Sequence, residues 1–312
     1  MNTYSLNNNI KYKKLIYSFI DNKLKHLILT KEDIYNINKN NKIMKSAIKI
    51  NKSITEIYIN IENLNYTYSN NDYYDNYDIL IKVIIWFLGY SKSLKLISIN
   101  NIKISNLYLE QIFNVLKFNT ILEILKINSS IYLNDTIFLL DFLEKNTTLK
   151  VLSLENFIFE DIYDLSRGLS KNKTLLYLNL SNSIINNLQS LSTALTINNT
   201  LTHLNLKNII VKDKSTIKTL FKSLKENKGL LQVNLSNSQL IDFDIYELSE
   251  SIPYNTKLKY IDLSNNMINN ISILLNVLKN NNTLKIVNLR NNNIQIYNQY
   301  NKIKINNALI YK

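Results

Sequence analysis

The sequence predicts an α/β solenoid of about ten strand–helix repeats, with a parallel sheet lining one side and helices the other. Three observations predict it. Leucine or isoleucine recurs at Leu24, Ile54, Leu94, Leu122, Leu149, Leu175, Leu201, Leu230, Leu258 and Leu284, and from Leu94 onward the steps are 28, 27, 26, 26, 29, 28 and 26 residues. Each marker opens a short strand pattern. An apolar pair at helical spacing, followed by Asn, precedes most of the markers. A fixed period of this size marks a stack of like units, not a fold around one central core.

The strand half reads LKYIDLSNNMI from Leu258, LKIVNLRNNNI from Leu284 and LLYLNLSNSII from Leu175. Apolar residues hold the first, fourth, sixth and eleventh positions. The fourth and sixth differ by two, so they share one face of a strand, and the third and fifth point the other way. The helical half is seen in Leu191 and Leu195, Leu220 and Leu224, Leu274 and Leu278, and Ile112 and Leu116. Spacing of i,i+4 puts each pair on one helical stripe. Asn stands three residues before the marker at Asn51, Asn119, Asn146, Asn172, Asn198, Asn227, Asn255 and Asn281, with Ser91 and Asp21 in the other two repeats. The chain has three glycines. Asn is the next residue to tolerate left-handed backbone, so these asparagines are expected to end the helices in that conformation.

The motif LxxLxLxxNxI followed by a helix, at 26–29 residues, resembles the ribonuclease-inhibitor-like subfamily of leucine-rich repeats, from about Leu24 to Ile294. The resemblance implies a horseshoe with a concave parallel sheet and convex helices. Spacing agrees: strands lie ~4.8 Å apart and packed helices ~8–10 Å, so the stack must curve. The resemblance also implies an Asn ladder at the ninth position, which Asn266 and Asn292 keep. Ser130, Ser183 and Ser238 can substitute there. Ile102, Phe157 and Ile209 cannot, so the ladder is expected to break and the turns to loosen at those repeats.

The chain reads as one domain, 1–312. Residues 1–23 carry an amphipathic helix that caps the stack, and 24–294 are the repeats. The repeat opened by Ile54 is long, and its excess, NYTYSNNDYYDNYD at 65–78, reads as a polar, Tyr-rich loop. Residues 295–312 lose the register and read as an irregular C-terminal cap with a basic tail. The run Ile79 to Leu88 is too short to span a bilayer and contains Lys82.

Composition narrows the setting. Absence of cysteine excludes disulfides and thiol ligands. With no secretory leader pattern in MNTYSLNNNIKYKKLIYSF, the expected setting is inside the cell, in the cytoplasm or nucleus. Sequons such as Asn146-Thr147-Thr148 and Asn198-Asn199-Thr200 fall at the repeat caps and are expected to be structural. The net charge is +13, yet the only arginines are Arg167 and Arg290. Scarce arginine argues against nucleic acid, whose readers use the guanidinium fork.

No catalytic or cofactor site is expected. His26 and His203 sit at the third strand position in distant repeats and cannot share a metal. No glycine-rich phosphate loop or Ser-His-Asp set is present. Asp161 and Asp164 fall at a helix start, where carboxylates favour the dipole. The better candidate is the concave face of the C-terminal half. Its third positions carry Tyr177, His203, Gln232 and Tyr260, and its fifth positions Asn179, Asn205, Asn234 and Asp262. Aromatic anchors among polar groups suit a protein partner. The expected function is a non-enzymatic protein-binding scaffold.

Two alternatives stay open. Ran GTPase-activating proteins are similar in repeat type, which implies a loop arginine in an early repeat and an acidic tail. Here Arg167 falls in a helical segment, Arg290 lies near the C-terminus and the tail is basic. Lysines at 11, 13, 14, 23 and 25, and at 212, 214, 218, 222 and 225, could instead meet RNA or an anionic membrane.

Overall fold

The structure is a computed structural model and describes residues 25–29, 41–60, 72–101, 104–294, 302–305 and 308–311. The expected N-terminal cap at 1–23 lies outside the described residues. The chain divides into two compact units, Met1–Ile131 with Lys145–Leu152, and Tyr132–Glu144 with Ser153–Lys312. Both are α/β, built of parallel strands alternating with helices.

In the first unit, strands β1 (His26–Leu29), β2 (Glu56–Asn60), β3 (Leu96–Asn100) and β4 (Ile124–Asn128) pair in chain order and in parallel. Glu56 lies between His26 and Leu96, and Leu96 pairs with Ile124. Helices α1 (Asn41–Ile50), α2 (Asp72–Tyr90) and α3 (Asn106–Leu116) alternate with the strands and pack in order. Ile57, Ile59, Ile97, Ile99, Leu125 and Ile127 are buried against them. The Tyr-rich stretch is helix from Asp72 onward, not loop. The apolar run that follows continues the same helix to Tyr90. Residues 65–71 lie outside the described residues.

The second unit begins with β5 (Tyr132–Leu133) and α4 (Ile137–Lys145). The end of α4 and the strand β6 (Val151–Glu155) are shared with the first unit. Then follow β7 (Ile158–Phe159), α5 (Tyr163–Lys171), β8 (Tyr177–Asn179), β9 (Ile184–Ile185), α6 (Gln189–Ile197), β10 (His203–Asn205) and β11 (Ile210–Val211). After these come α7 (Ile217–Ser223), β12 (Gln232–Asn234), α8 (Asp242–Ser251), β13 (Tyr260–Asp262), α9 (Ser272–Leu278), β14 (Ile286–Asn288), β15 (Lys302–Ile305) and β16 (Ala308–Tyr311). Strands β8, β10, β12, β13, β14 and β16 are parallel in that order, and β15 closes the edge antiparallel to β16. The C-terminal segment therefore continues the sheet, where an irregular cap was expected. Leu309 and Tyr311 pair with Ile286 and Asn288 and extend the third- and fifth-position rows.

A second, small sheet was not foreseen. Strands β5, β7, β9 and β11 pair in parallel, with Leu133, Phe159, Ile185 and Val211 in register and buried. These are the eleventh-position residues, except that the turn after β4 is one residue longer. Ile124 to Tyr132 is eight steps, whereas Val151 to Ile158, Tyr177 to Ile184 and His203 to Ile210 are each seven. The extra residue moves the serine that serves the turn. Ser129, not Ser130, is buried and receives the Ile104 N–H at 3.4 Å.

The cap asparagines are not left-handed. Asn172 has φ −67° and ψ 133°, and Asn198 φ −79° and ψ 117°, which is extended backbone. Their side chains do the work. Oδ1 of Asn198 accepts the Thr200 and Leu201 N–H groups at 2.9 and 2.8 Å. Its Nδ2 donates to the carbonyls of Leu169 and Asn172 in the preceding repeat at 2.6 and 2.9 Å. Asn119 and Asn146 in the first unit, and Asn172, Asn227, Asn255 and Asn281 in the second, repeat both halves of this pattern. Ser91 keeps only the accepting half.

Left-handed backbone occurs instead at the eighth position. Asn101, Asn156, Asn182, Asn208, Asn237, Asn265 and Asn291 all have φ between 54° and 65°. The N–H groups of Asn156, Asn182, Asn208, Asn237 and Asn265 donate to the seventh-position carbonyl of the next repeat at 2.7–3.1 Å. Asn156 and Asn208 keep this turn beside Phe157 and Ile209, so the turn shape survives where loosening was expected. Both apolar side chains are buried. Ile102 lies outside the described residues. At the ninth position Ser183, Ser238, Asn266 and Asn292 each donate to the sixth-position carbonyl of the preceding repeat, from Leu154, Leu206, Leu235 and Leu263.

Two measurements check this account. Asn198→Ala removes four bonds from a site with 0% exposure. With each orphaned buried group worth about 1–3 kcal/mol, the expected loss in urea unfolding is at least about 3 kcal/mol. Asn198→Asp should not rescue it, because a carboxylate keeps the acceptor and loses the donor. At Gly168 an added Cβ would lie 2.8 Å from Leu143 Cβ and 3.1 Å from Leu140 Cα, so α5 touches α4 through bare backbone. Gly168→Ala is expected to cost about 1–3 kcal/mol by overpacking, and an unchanged unfolding midpoint would contradict that contact.

Candidate functional site

All eight expected site residues fall in the second unit, on strands β8, β10, β12 and β13. The fourth-position residues Leu178, Leu204, Val233 and Ile261 are buried beneath them. Tyr177, His203, Gln232 and Tyr260 form one row across the sheet, and Asn179, Asn205, Asn234 and Asp262 the next. Strand alternation turns both rows away from the helices.

Within the first row, the rings of Tyr177 and His203 meet at 5.9 Å between centroids. Nδ1 of His203 lies 2.8 Å from the Thr202 hydroxyl. Gln232 is exposed and separates His203 from Tyr260. The aromatic residues are thus one touching pair and one outlier two strand spacings away, about 10 Å. Burial, aided by the Glu155 carboxylate, pushes the Tyr177 hydroxyl up against a hydrogen bond from Asn205 that lowers it.

The second row is built into the turns. Oδ1 of Asn179, Asn205 and Asn234 accepts the N–H two residues on, from Ser181, Lys207 and Ser236, at 2.9–3.1 Å. Oδ1 of Asp262 accepts both the N–H and the hydroxyl of Ser264, at 3.0 and 2.6 Å. Its Oδ2 accepts the Tyr260 hydroxyl at 2.9 Å and the Asn288 amide at 3.0 Å. Burial and this carboxylate push the Tyr260 hydroxyl up to about 12. At the other end Asn179 donates to the Ser153 hydroxyl and the Glu155 carboxylate at 2.9 and 2.8 Å.

Sequence reading missed the seventh-position residues beside these rows. Glu155, Lys207 and Arg290 stand there, and Arg290 lies 4.6 Å over the Tyr311 ring. Reading that column as the third and fifth were read would have found them. The pairing of Tyr311 could not have been found, because the chain between Ile294 and Ala308 breaks the period. In the first unit Oε2 of Glu56 receives both His26 Nδ1 and the Tyr58 hydroxyl at 2.8 Å. The Tyr58 bond, then His26, holds that carboxylate below its usual range against burial.

Of the lysines of the alternative cationic sites, those at 11, 13, 14 and 23 lie outside the described residues, and three of the second cluster contact the next repeat. Lys214 donates to Gln239 at 2.7 Å, Lys222 lies 3.7 Å from Glu247, and Lys225 sits 4.6 Å over Tyr254. This lysine stripe thus ties one repeat to the next. Arg167 rests 5.5 Å over Tyr163 beside a groove of about 470 Å³ between α5 and α6. No helix among the described residues is long and apolar enough to cross a membrane. No model of a known protein family matches the chain, and no curated protein matches it in sequence.

Tyr260 gives a test of the site's electrostatics. Its folded value lies above the ordinary 10, so its contribution to stability is complete below pH 10 and is lost as pH rises through about 12. Asp262→Asn removes the charge that holds the phenol protonated. Ring-carbon NMR of labelled tyrosine should then show Tyr260 titrating closer to 10, and an unshifted curve would refute the coupling.

Proposed function

We propose that this protein is a non-enzymatic protein-binding scaffold of the leucine-rich repeat type, ribonuclease-inhibitor-like, whose partner docks on the outward face of β8, β10, β12 and β13. The LxxLxLxxNxI register and its 26–29-residue period support the repeat type. The observation that carries the binding reading is the pair of in-register rows. Tyr177, His203 and Tyr260 are half-buried and held by neighbours, so they lose little freedom when a partner covers them. The amide row beneath is fixed by its turn bonds. Rigid aromatic anchors beside oriented polar groups are the composition of interface hot spots. The lack of cysteine supports an intracellular setting.

The test is affinity capture from native extract, with a Tyr177→Ala, His203→Ala, Tyr260→Ala variant run beside the wild type. The variant is first shown to unfold at a similar urea concentration. The reading expects a protein recovered by the wild type and depleted about tenfold or more in the variant. Equal recovery by both would remove the docking site from this face.

A further inference from the structure

The turn bonds decide which hydrogen-bonding groups the outward face still offers. An amide oxygen that accepts a backbone N–H must turn its Nδ2 the other way. Asn179, Asn205, Asn234 and Asn288 all accept the N–H two residues on, at 2.9–3.3 Å, so each is fixed as an outward donor. Three of the four carboxylate oxygens on this face are engaged. Glu155 Oε1 receives Ser153 and Asn179, and both oxygens of Asp262 are bonded. Asp262 is the only acid at the third, fifth and seventh positions of β8 to β14. The donors left without a protein hydrogen-bond partner among the described residues include Asn234 Nδ2, the Lys207 ammonium and the Arg290 guanidinium.

Lys207 and Arg290 hold the same register position. Their carbonyls accept the Asn182 and Asn265 N–H groups at 2.9 and 2.8 Å. They follow β10 and β14, three strand spacings apart in the order β10, β12, β13, β14. At about 4.8 Å per strand this is roughly 14 Å. An extended chain rises about 3.4 Å per residue, so side chains at i and i+4 share a face roughly 14 Å apart.

We propose that the face takes an extended acidic segment of a partner protein, laid across the strands, with carboxylates at i and i+4 on Lys207 and Arg290 and the Asn234 amide one row to the side, within reach of the intervening backbone or i+2 side chain. His203 and Tyr260 lie one row beyond it on the same side. Charge complementarity selects this occupant. From β10 to β14 the third, fifth and seventh positions carry two cations, Lys207 and Arg290, against one carboxylate, Asp262, both of whose oxygens are bonded. The inference rests on the scaffold reading and adds the chemistry of the partner.

The probe is a fluorescein-labelled peptide alternating glutamate and alanine, titrated with the full chain at low salt and followed by anisotropy. The peptide with glutamine for glutamate is the control. Binding is expected for the glutamate peptide, with about tenfold weakening for Lys207→Ala and for Arg290→Gln. The double reversal Lys207→Glu, Arg290→Glu should abolish binding and transfer it to the matching lysine peptide. Asn234→Asp keeps the bond to the Ser236 N–H and replaces the outward donor by an acceptor, so it too should weaken binding while Asn234→Ala does so less. Urea unfolding checks that each variant is folded. Equal binding of the glutamate and glutamine peptides would overturn the proposal. So would an equal loss from Lys218→Glu on α7, because net charge alone would then explain binding. If capture from extract depends on the three aromatic residues but the glutamate peptide is ignored, the acidic occupant is wrong and the scaffold reading stands. If capture is indifferent to the aromatic residues, the scaffold reading itself has failed.

Discussion

The buried asparagine at the end of each helical half is the bond on which the stack depends. Every repeat must turn from helix to strand, and that turn leaves backbone N–H and carbonyl groups inside the protein. One amide side chain serves both. At Asn198, Oδ1 takes two N–H groups of its own repeat and Nδ2 takes two carbonyls of the repeat before. A donor and an acceptor on separate atoms are needed on one short side chain, and the Asn amide supplies both, each able to make two bonds. Glycine could supply the turn but not the bonds. Because the same amide reaches back one repeat, it also sets the distance between neighbours, and so the register of the strands it leads into. The same bonds close the question of the cap sequons. Asn146 and Asn198 are 3% and 0% exposed, so neither amide is open to modification in the folded chain.

In the repeats opened by Leu175, Leu201 and Leu230 asparagine does three separate jobs, and only one of them uses backbone freedom. Before the marker it bridges by side chain. At the fifth position it accepts the N–H two residues on and closes the strand end. At the eighth it adopts φ near 60° and passes its own N–H to the next turn. In the left-handed region Asn costs less than other residues that carry a Cβ. The surplus of asparagine in this chain is therefore not merely compositional at these three columns, and its scarcity of glycine is tolerable for the same reason.

The periodic part of the fold was legible because burial enforces it. Leu178, Leu204, Val233 and Ile261 must be apolar to fill a sheet–helix core, so the strands could be placed to the residue. The asparagine columns were visible too, but their roles were not. Residue type alone does not say whether Asn is used for its φ or for its amide, and the left-handed role was given to the wrong column. Ser130 and Ser129 were exchanged because one added residue after β4 shifts the turn without touching the apolar register. The C-terminal strand escaped notice because Ala308 to Tyr311 joins the sheet through backbone pairing, which needs no leucine period. For the candidate site, the third and fifth columns could be read from alternation. The bonds that orient them depend on the eighth-position turn, and the flanking Lys207 and Arg290 stand in the next odd column, which the same alternation reaches.

Stability and recognition draw on the same hydrogen bonds in the second unit. The Asn234 side chain closes its turn with Oδ1, and that act alone fixes the direction of Nδ2. Asp262 closes its turn with Oδ1 and fixes Tyr260 with Oδ2. The polarity of the face is thus a consequence of the fold: wherever a turn N–H needs an acceptor, the side chain that supplies it leaves a donor outside. A stack that closes its strand ends with Asn presents donors in a row, one strand spacing apart. Asp at the same position closes the turn equally well but presents an acceptor. Choosing between Asn and Asp at the fifth position therefore changes the sign of the recognition surface at little cost to the turn. At β13, where Asp262 makes that choice, the neighbouring Tyr260 and Asn288 cancel it. Asn179 and Asn288 spend their outward donors on neighbouring carboxylates, and Asn234 keeps its donor for an acceptor-bearing partner.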